Sequence, residues 1–378
     1  MHGGLNQLKL VLAGVAITAL YAYAQLIQYP GEELFFKDIQ QITPDVDARD
    51  GAISPDGKWI CWVGPVTKGN ISNDQVWIMP AIGGEPRMIL TVAGRAADPV
   101  FIPGRDALIF SASDMMDSRA LASAELIVET LWRLDMSSLY MAEINGSGTV
   151  QLSTSTSTTT TTSSGYDGQP DVSPDGQQIV FASTRDGDLD LYLMDIVDMV
   201  VIRLTDSFGY DCQPRFTPDG QWILYSSYEP KTDSEKQRYT KMLGAGVVSA
   251  PEFEICMIRT DGTQKMKITD LHSISLSPCK HPKDDIIVFM SKPGKTDTNP
   301  SIVSSEFDLF TVDFTGTILK QVTTNPEFDG SPRFSKDGSR LIWTSLRANR
   351  STKASRSNGI YSAVWHNPLS PSSESIKP

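Results

Sequence analysis

The chain has 378 residues, 40% of them hydrophobic, with 33 Lys and Arg against 45 Asp and Glu. That length and apolar content are enough to bury a sizeable core, in two ordinary domains or one large repeat-built domain, and they exclude a chain disordered throughout. A net charge of −12, with no basic stripe interleaved with aromatics, argues against nucleic acid as a partner.

The first expected element is an address. Lys9 closes a short polar start, and Leu10 to Ala24 is a run of 15 mostly apolar residues ending in Ala22-Tyr23-Ala24. Small residues at those two alanine positions suit signal peptidase, so residues 1–24 read as a signal peptide cleaved before Gln25. They read as a retained anchor if Leu26 and Ile27 extend the run, which makes residues 10–27 a membrane tether. Gly3-Gly4 ahead of the run also matches a pilin start, although Lys9 stands where that pattern wants Glu. Residues 25–33 are a linker. Either main reading places the rest of the chain outside the cytoplasm, in a periplasm, at a cell surface or secreted.

From residue 34 a phrase returns along the chain, and self-similarity of this kind is the mark of a repeat fold. Its strong copies run from Tyr166 to Gly176, Tyr210 to Gly220 and Phe328 to Gly338. Weaker ones are Ala52 to Gly57, Pro99 to Gly104 and Ser275 to Lys280. The Ser-Pro-Asp-Gly core is a hairpin turn, because Pro presets φ, Asp bonds its own backbone and Gly accepts positive φ. After each turn a short apolar strand is expected, at Trp59 to Val63, Ala107 to Phe110, Gln178 to Ala182, Trp222 to Ser226, Ile286 to Met290 and Arg340 to Thr344. A second follows, at Val76 to Met79, Leu139 to Ala142, Leu191 to Met194, Ile255 to Ile258, Leu309 to Val312 and Ile360 to Ala363.

Five units then close with an aliphatic residue and Thr or Ser: Leu90-Thr91, Leu152-Ser153, Leu204-Thr205, Ile268-Thr269 and Val322-Thr323. The sixth lacks that strand, and its copy stands at the front as Ile39 to Thr43. Six units plus one displaced strand predict an all-β six-bladed β-propeller over residues 34–365, closed by the N-terminal strand so that no long sheet edge is left open. The shortest turn-to-turn spacing is 44 residues, Ser173 to Thr217, and the excess elsewhere maps to insertions at 114–137, 153–165, 228–252, 291–305 and 346–357. A tail follows at 366–378.

These repeats resemble the TolB-like six-bladed β-propeller family, whose units share the aromatic-Asp-Gly-x-Pro-x-Phe-Ser-Pro-Asp-Gly opening. Residues Ser183 to Asp195, reading Ser-Thr-Arg-Asp-Gly-Asp-Leu-Asp-Leu-Tyr-Leu-Met-Asp, match that family's Arg-Asp-Gly turn and Ile-Tyr-Met-Asp strand. The resemblance covers the propeller part alone, with no TolB N-terminal α/β domain ahead of it. It implies the fold, and a role among periplasmic adaptors that bind proteins and lipoproteins or among the propeller halves of oligopeptidases.

The sequence offers no clear reactive constellation. There is no G-x-S-x-G elbow, and thirteen residues after Trp365 leave no room for a hydrolase domain. Metal lyases on related propellers use clustered histidines, whereas His272, His281 and His366 show no ligand spacing and read as surface residues. Cys61, Cys212, Cys256 and Cys279 form no C-x-x-C pair, and at most one bridge is expected. No cofactor is expected, with one candidate exception: Asp186, Asp188 and Asp190 match positions one, three and five of a calcium loop, yet Leu191 and Val197 replace the Gly at six and the Glu at twelve. Trp59, Trp62, Trp77, Trp222 and Trp343 read as core between blades.

Two binding surfaces emerge. Asp50, Asp98, Asp167, Asp211 and Asp329 open the innermost strands of five units, either capping turns or forming an acidic channel mouth for a cation or a basic peptide segment. Their register differs, since Asp50 and Asp98 align with Gln169 and Gln213. The second surface is the insertion from Asp114 to Leu134, where Leu121, Val128, Leu131 and Trp132 fall at a helical period and predict a helix that covers its own blade or docks a partner. The segments 228–252 and 291–305 read as polar surface loops, and Ser153 to Ser164 as a solvated linker. Asn70, Asn145 and Asn349 fit the glycosylation acceptor in a host with that machinery. The expected function is a non-catalytic extracytoplasmic scaffold or adaptor that binds protein, including further copies of itself. The alternative is a carbohydrate-binding or carbohydrate-processing propeller working at the channel mouth.

Overall fold

The computed structural model describes residues 34–43, 47–68, 71–89, 94–113, 131–153, 165–292, 307–324, 327–347 and 357–367. The address at 1–24, the linker at 25–33, Leu121, Val128, Asn70, Asn349, most of the 291–305 loop and the tail beyond 367 lie outside these.

Six four-stranded antiparallel sheets follow one another in chain order. Strand β1 is Phe36–Gln41. Blade one holds β2 Arg49–Ile53, β3 Trp59–Lys68, β4 Ile71–Pro80 and β5 Arg87–Met88. Blade two holds β6 Ala96–Phe101, β7 Ala107–Ala112, β9 Ser138–Glu143 and β10 Val150–Gln151, with β8 Trp132–Arg133 in its insertion. Blade three is β11 Asp167–Val172, β12 Gln178–Ser183, β13 Asp190–Asp195 and β14 Val201–Arg203. Blade four is β15 Tyr210–Phe216, β16 Trp222–Tyr228, β18 Glu254–Arg259 and β19 Met266–Lys267, with the helix α1 Asp233–Gly244 and β17 Val247–Val248 inserted. Blade five is β20 Ile274–Lys280, β21 Ile287–Lys292, β22 Asp308–Val312 and β23 Lys320–Gln321. Blade six is β24 Asp329–Phe334, β25 Arg340–Ser345 and β26 Gly359–Trp365, and its fourth strand is β1. Inner strands of neighbouring blades touch in turn around the ring, including β2 against β24. The fold is a six-bladed propeller with one helix among the described residues.

The turn chemistry is physical and local. In four units the first hydroxyl of the turn motif, on Ser54, Ser173, Thr217 and Ser335, donates to the carboxylate two residues on at 2.5 to 2.6 Å. The same hydroxyl accepts from the backbone N–H of Trp59, Gln178, Trp222 and Arg340, which starts the second strand. Gly57, Gly176, Gly220 and Gly338 close these turns with φ between 69° and 75°, a conformation that carries little strain only without a Cβ.

The closing Thr or Ser has an equally direct role. Ser153, Thr205, Thr269 and Thr323 each accept, through the side-chain oxygen, from the N–H of the second residue of the third strand, at 2.8 to 2.9 Å. In blade six the acceptor is Thr43, 3.0 Å from the Ile360 nitrogen. Strand β1 pairs with β26 from Phe36 opposite Trp365 to Gln41 opposite Tyr361, a start three residues earlier than the aliphatic-Thr phrase suggests. Phe36 stacks on Trp343 with ring centroids 5.0 Å apart.

The polar insertion at 228–252 is not a plain loop. Thr232 and Glu235 form a reciprocal capping box, and α1 buries Tyr239 and Met242 on blade four. The Tyr239 hydroxyl donates to the Gly209 carbonyl at 2.9 Å. Trp62 and Trp343 are fully buried, while Trp59, Trp77 and Trp222 pack partly buried against the core. His281 is a correction to the surface reading: it is buried and its Nε2 meets the Gly338 carbonyl at 3.0 Å, linking blades five and six. All four cysteines are free thiols. No helix among the described residues is long and apolar enough to cross a membrane.

Candidate functional site at the propeller axis

Every innermost strand carries the same irregularity. Asp50, Asp98, Gln169, Gln213, Ser277 and Ser331, one per blade, take φ between 51° and 55°, and at each the register against the second strand shifts. A bulge of this kind re-aims a side chain while the strand continues. Five of the six precede Pro, which has no N–H to lose from the ladder. The sixth precedes Gly51, where a Cβ would sit 2.8 Å from Ile360.

Hydrogen bonds stitch the bulges together at four of the six junctions between blades. Asp98 accepts from the Gln169 N–H at 3.3 Å, Gln169 from the Gln213 N–H at 2.9 Å, and Gln213 from the Ser277 N–H at 2.8 Å. The Ser331 hydroxyl donates to Asp50 at 2.8 Å. Above the bulges lies an axial cavity of about 500 Å³. Residues of all six blades line it, and Trp132, Phe307 and Phe328 give it an apolar wall.

Two positions further along the inner strands stand Ala52, Val100, Asp171, Arg215, Cys279 and Arg333, of which Ala52 and Val100 are buried in apolar clusters. Arg333 Nη1 stands 3.6 Å from Asp171 Oδ1, so an ion pair joins blades three and six, opposite each other in the ring. Burial and the charge of Arg333 push the Arg215 guanidinium down to about 10, against the pull of Asp171 and Asp98. None of these three charged residues was picked out from the sequence. The signal was available as the column between Pro and the following Phe or Val in the strong repeats.

Asp98 is pushed up to about 6, first by burial and then by the negative charge of Asp50, while Arg215 and the bonds from Ser111 and Gln169 oppose the shift. A carboxyl raised above its unfolded value binds its proton more tightly in the folded state. Its stabilising contribution is therefore full below about pH 4 and is lost as pH rises through about 6. Asp98→Asn is expected to melt with the parent near pH 4 and to be more stable by about 1–2 kcal/mol near pH 8. Thermal denaturation at the two pH values checks this, and coincident melts near pH 8 refute it.

The acidic mouth needs correction. Only Asp50 and Asp98 line the cavity. Asp167, Asp211 and Asp329 are 0%, 2% and 0% exposed and tie the first strand to the second within their own blades. Asp167 accepts from Ser183 at 2.6 Å and Arg185 at 3.0 Å, and Asp211 from Ser227 at 2.6 Å, with Lys265 at 3.8 Å. Asp329 accepts from the Trp343 indole and from Arg347, both at 2.9 Å. The bulge is the reason, since the positive-φ residue turns the later of the two registers away from the earlier one.

The insertion stripe is corrected as well. Its described end is a strand, not a helix: β8 pairs with β17, Trp132 opposite Val248. Leu131 and Trp132 pack partly buried against the main core, and Trp132 lies 5.9 Å from the Phe253 ring. The calcium candidate does not converge. Asp186 accepts from the Tyr192 hydroxyl, Asp188 from the Leu189 and Gly209 N–H groups, and Asp190 from Arg203. Among the described residues the one grouping of ligand-type side chains is Glu252, Glu254 and His272. Asn145 sits exposed in a turn, its side chain accepting from the Ser147 N–H at 2.7 Å.

Residues 121–250 match the family model of the TolB beta propeller domain. A putative TolB from Agrobacterium tumefaciens is similar in structure, with TM-score 0.52 and 18% identity over 87% of this chain and 97% of that one. TolB from Acinetobacter baumannii is similar with TM-score 0.53 and 15% identity over 91% of this chain and 67% of that one. Oligogalacturonate lyase from Vibrio parahaemolyticus matches at TM-score 0.49 and 11% identity, over 86% and 93% of the two chains, too loosely to bear on chemistry. No curated protein matches the sequence.

Proposed function

On a chain that carries TolB-type propeller repeats, we propose a non-catalytic extracytoplasmic binding scaffold that holds a segment of a protein partner at the axial mouth. The observation that carries this reading is the cavity of about 500 Å³ to which all six blades contribute. Its floor presents two carboxylates, Asp50 and Asp98, and its wall presents Trp132, Phe307 and Phe328. A rigid ring that converges polar groups beneath an apolar wall is the usual form of a ligand site. Carboxylates below aromatics suit a basic residue flanked by apolar ones. The extracytoplasmic placement rests on residues 1–24, and the TolB likeness supports a binding role only at the level of the fold.

The test is capture from the cell envelope by the mature chain and by an Asp50→Asn, Asp98→Asn double variant, with mass spectrometry of what is retained. A protein held by the parent and lost at least tenfold by a variant of undiminished stability is the expected result. Equal retention places the contact elsewhere and sinks the axial reading. Retention of an oligosaccharide instead favours a carbohydrate-binding propeller.

A further inference from the structure

We propose that the axial site takes a ligand carrying both charges, its carboxylate seated between Arg215 and Arg333 and its ammonium or guanidinium group held at Asp50 and Asp98. This deepens the axial reading above and rests on it.

The deeper layer holds two guanidiniums and one carboxylate. Asp171 gives one oxygen to Arg333 at 3.6 Å and the other to the Phe216 N–H at 2.9 Å. Arg215 bonds the carbonyl of its own neighbour, Pro214, at 2.9 Å. Both arginines stay partly exposed where the inner strands converge, which leaves guanidinium donors beyond these bonds for a ligand. A guanidinium has five donors in a fixed fork that fits a carboxylate. One acid shared by two such forks leaves a positive charge in a confined, low-dielectric space, where an anion is favoured.

A simple anion does not suit the site, because Asp50 and Asp98 stand in the layer between the cavity and the arginines and repel it. The layers are two residues apart along bulged strands, at most about 7 Å of backbone. An extended lysine bearing a free α-carboxylate spans a comparable distance between its charges, and so does a free ω-amino acid. The shared chemistry is a carboxylate and a cation at that separation.

Calorimetric titration of the full chain tests this with three probes: a short peptide ending in lysine with a free carboxylate, the same peptide as its C-terminal amide, and 6-aminohexanoate. The free-acid peptide is expected to bind at least tenfold more tightly than the amide, and Arg215→Gln to bring it down to the level of the amide. Binding of 6-aminohexanoate as tight as the peptide identifies a free small zwitterion as the source, and binding of the peptide alone identifies a protein chain end. Equal affinity of acid and amide overturns the arginine assignment while leaving the axial mouth intact. If the Asp50→Asn, Asp98→Asn variant binds the acid as well as the parent does, the axial reading falls with it. The acid-against-amide comparison needs no variant, so it decides the matter even if an arginine substitution disturbs the fold.

Discussion

Removing residues 35–43 is expected to turn a cooperatively melting propeller into an aggregating chain. Strand β1 supplies the outer strand of blade six, and its loss bares the N–H and C=O groups of β26, an edge that recruits other chains. The strand is also anchored by packing. Phe35 lies 5.7 Å from Trp365, Phe36 stacks on Trp343, and both phenylalanines are buried. Phe36→Ala alone is expected to cost about 3–5 kcal/mol, a large fraction of the roughly 5–15 kcal/mol that stabilises a typical protein. Thermal denaturation of the point variant and light scattering of the truncated one check both effects. A truncated chain that scatters light no more than the parent and melts with it shows that the strand closes nothing.

The other large effect is expected at Asp329, through stability and not through binding. Its carboxylate is fully buried and receives the Trp343 indole N–H and the Arg347 guanidinium, which itself lies 5.4 Å over the Trp343 ring. Asp329→Ala leaves that arginine without its buried carboxylate beside the closing blade, an outcome worth about 3–5 kcal/mol. Asp50→Asn with Asp98→Asn is expected to cost no stability near pH 8. Denaturant unfolding of the two variants side by side separates a structural aspartate from a channel-lining one. Should Asp329→Ala unfold at the same denaturant concentration as the parent while the double variant is destabilised, the two roles are the wrong way round.

The repeat itself was legible because its chemistry is local. A hydroxyl that bonds the aspartate two residues on, a proline and a positive-φ glycine make each turn within a few residues, and alternating apolar strands follow. The aliphatic-Thr phrase is local in the same sense, since one hydroxyl accepts from the N–H of a strand's second residue, and Thr43 makes that bond to Ile360 although it lies at the other end of the chain.

What only the tertiary structure decided is where bulges, pairing and closure act. The repeat superimposes Asp167 on Asp211 and Asp329, and sets Asp50 and Asp98 two places later. A two-residue offset keeps a side chain on the same face of a regular strand, so no sequence pattern assigns one set to the axis and the other to the blade interior; the left-handed residue at each bulge makes that separation. The described parts of the insertions differ from the sequence reading for a related reason. Trp132 falls in a helical period with Leu121, Val128 and Leu131, yet Trp132 and Arg133 pair as a strand with Val248 and Val247. Thr232 and Glu235 spelled a capping box in a segment too polar to suggest burial, and Tyr239 and Met242 met a blade surface that no local pattern reveals. Asp171 and Arg333 stand 162 positions apart and face each other only because six sheets close into a ring.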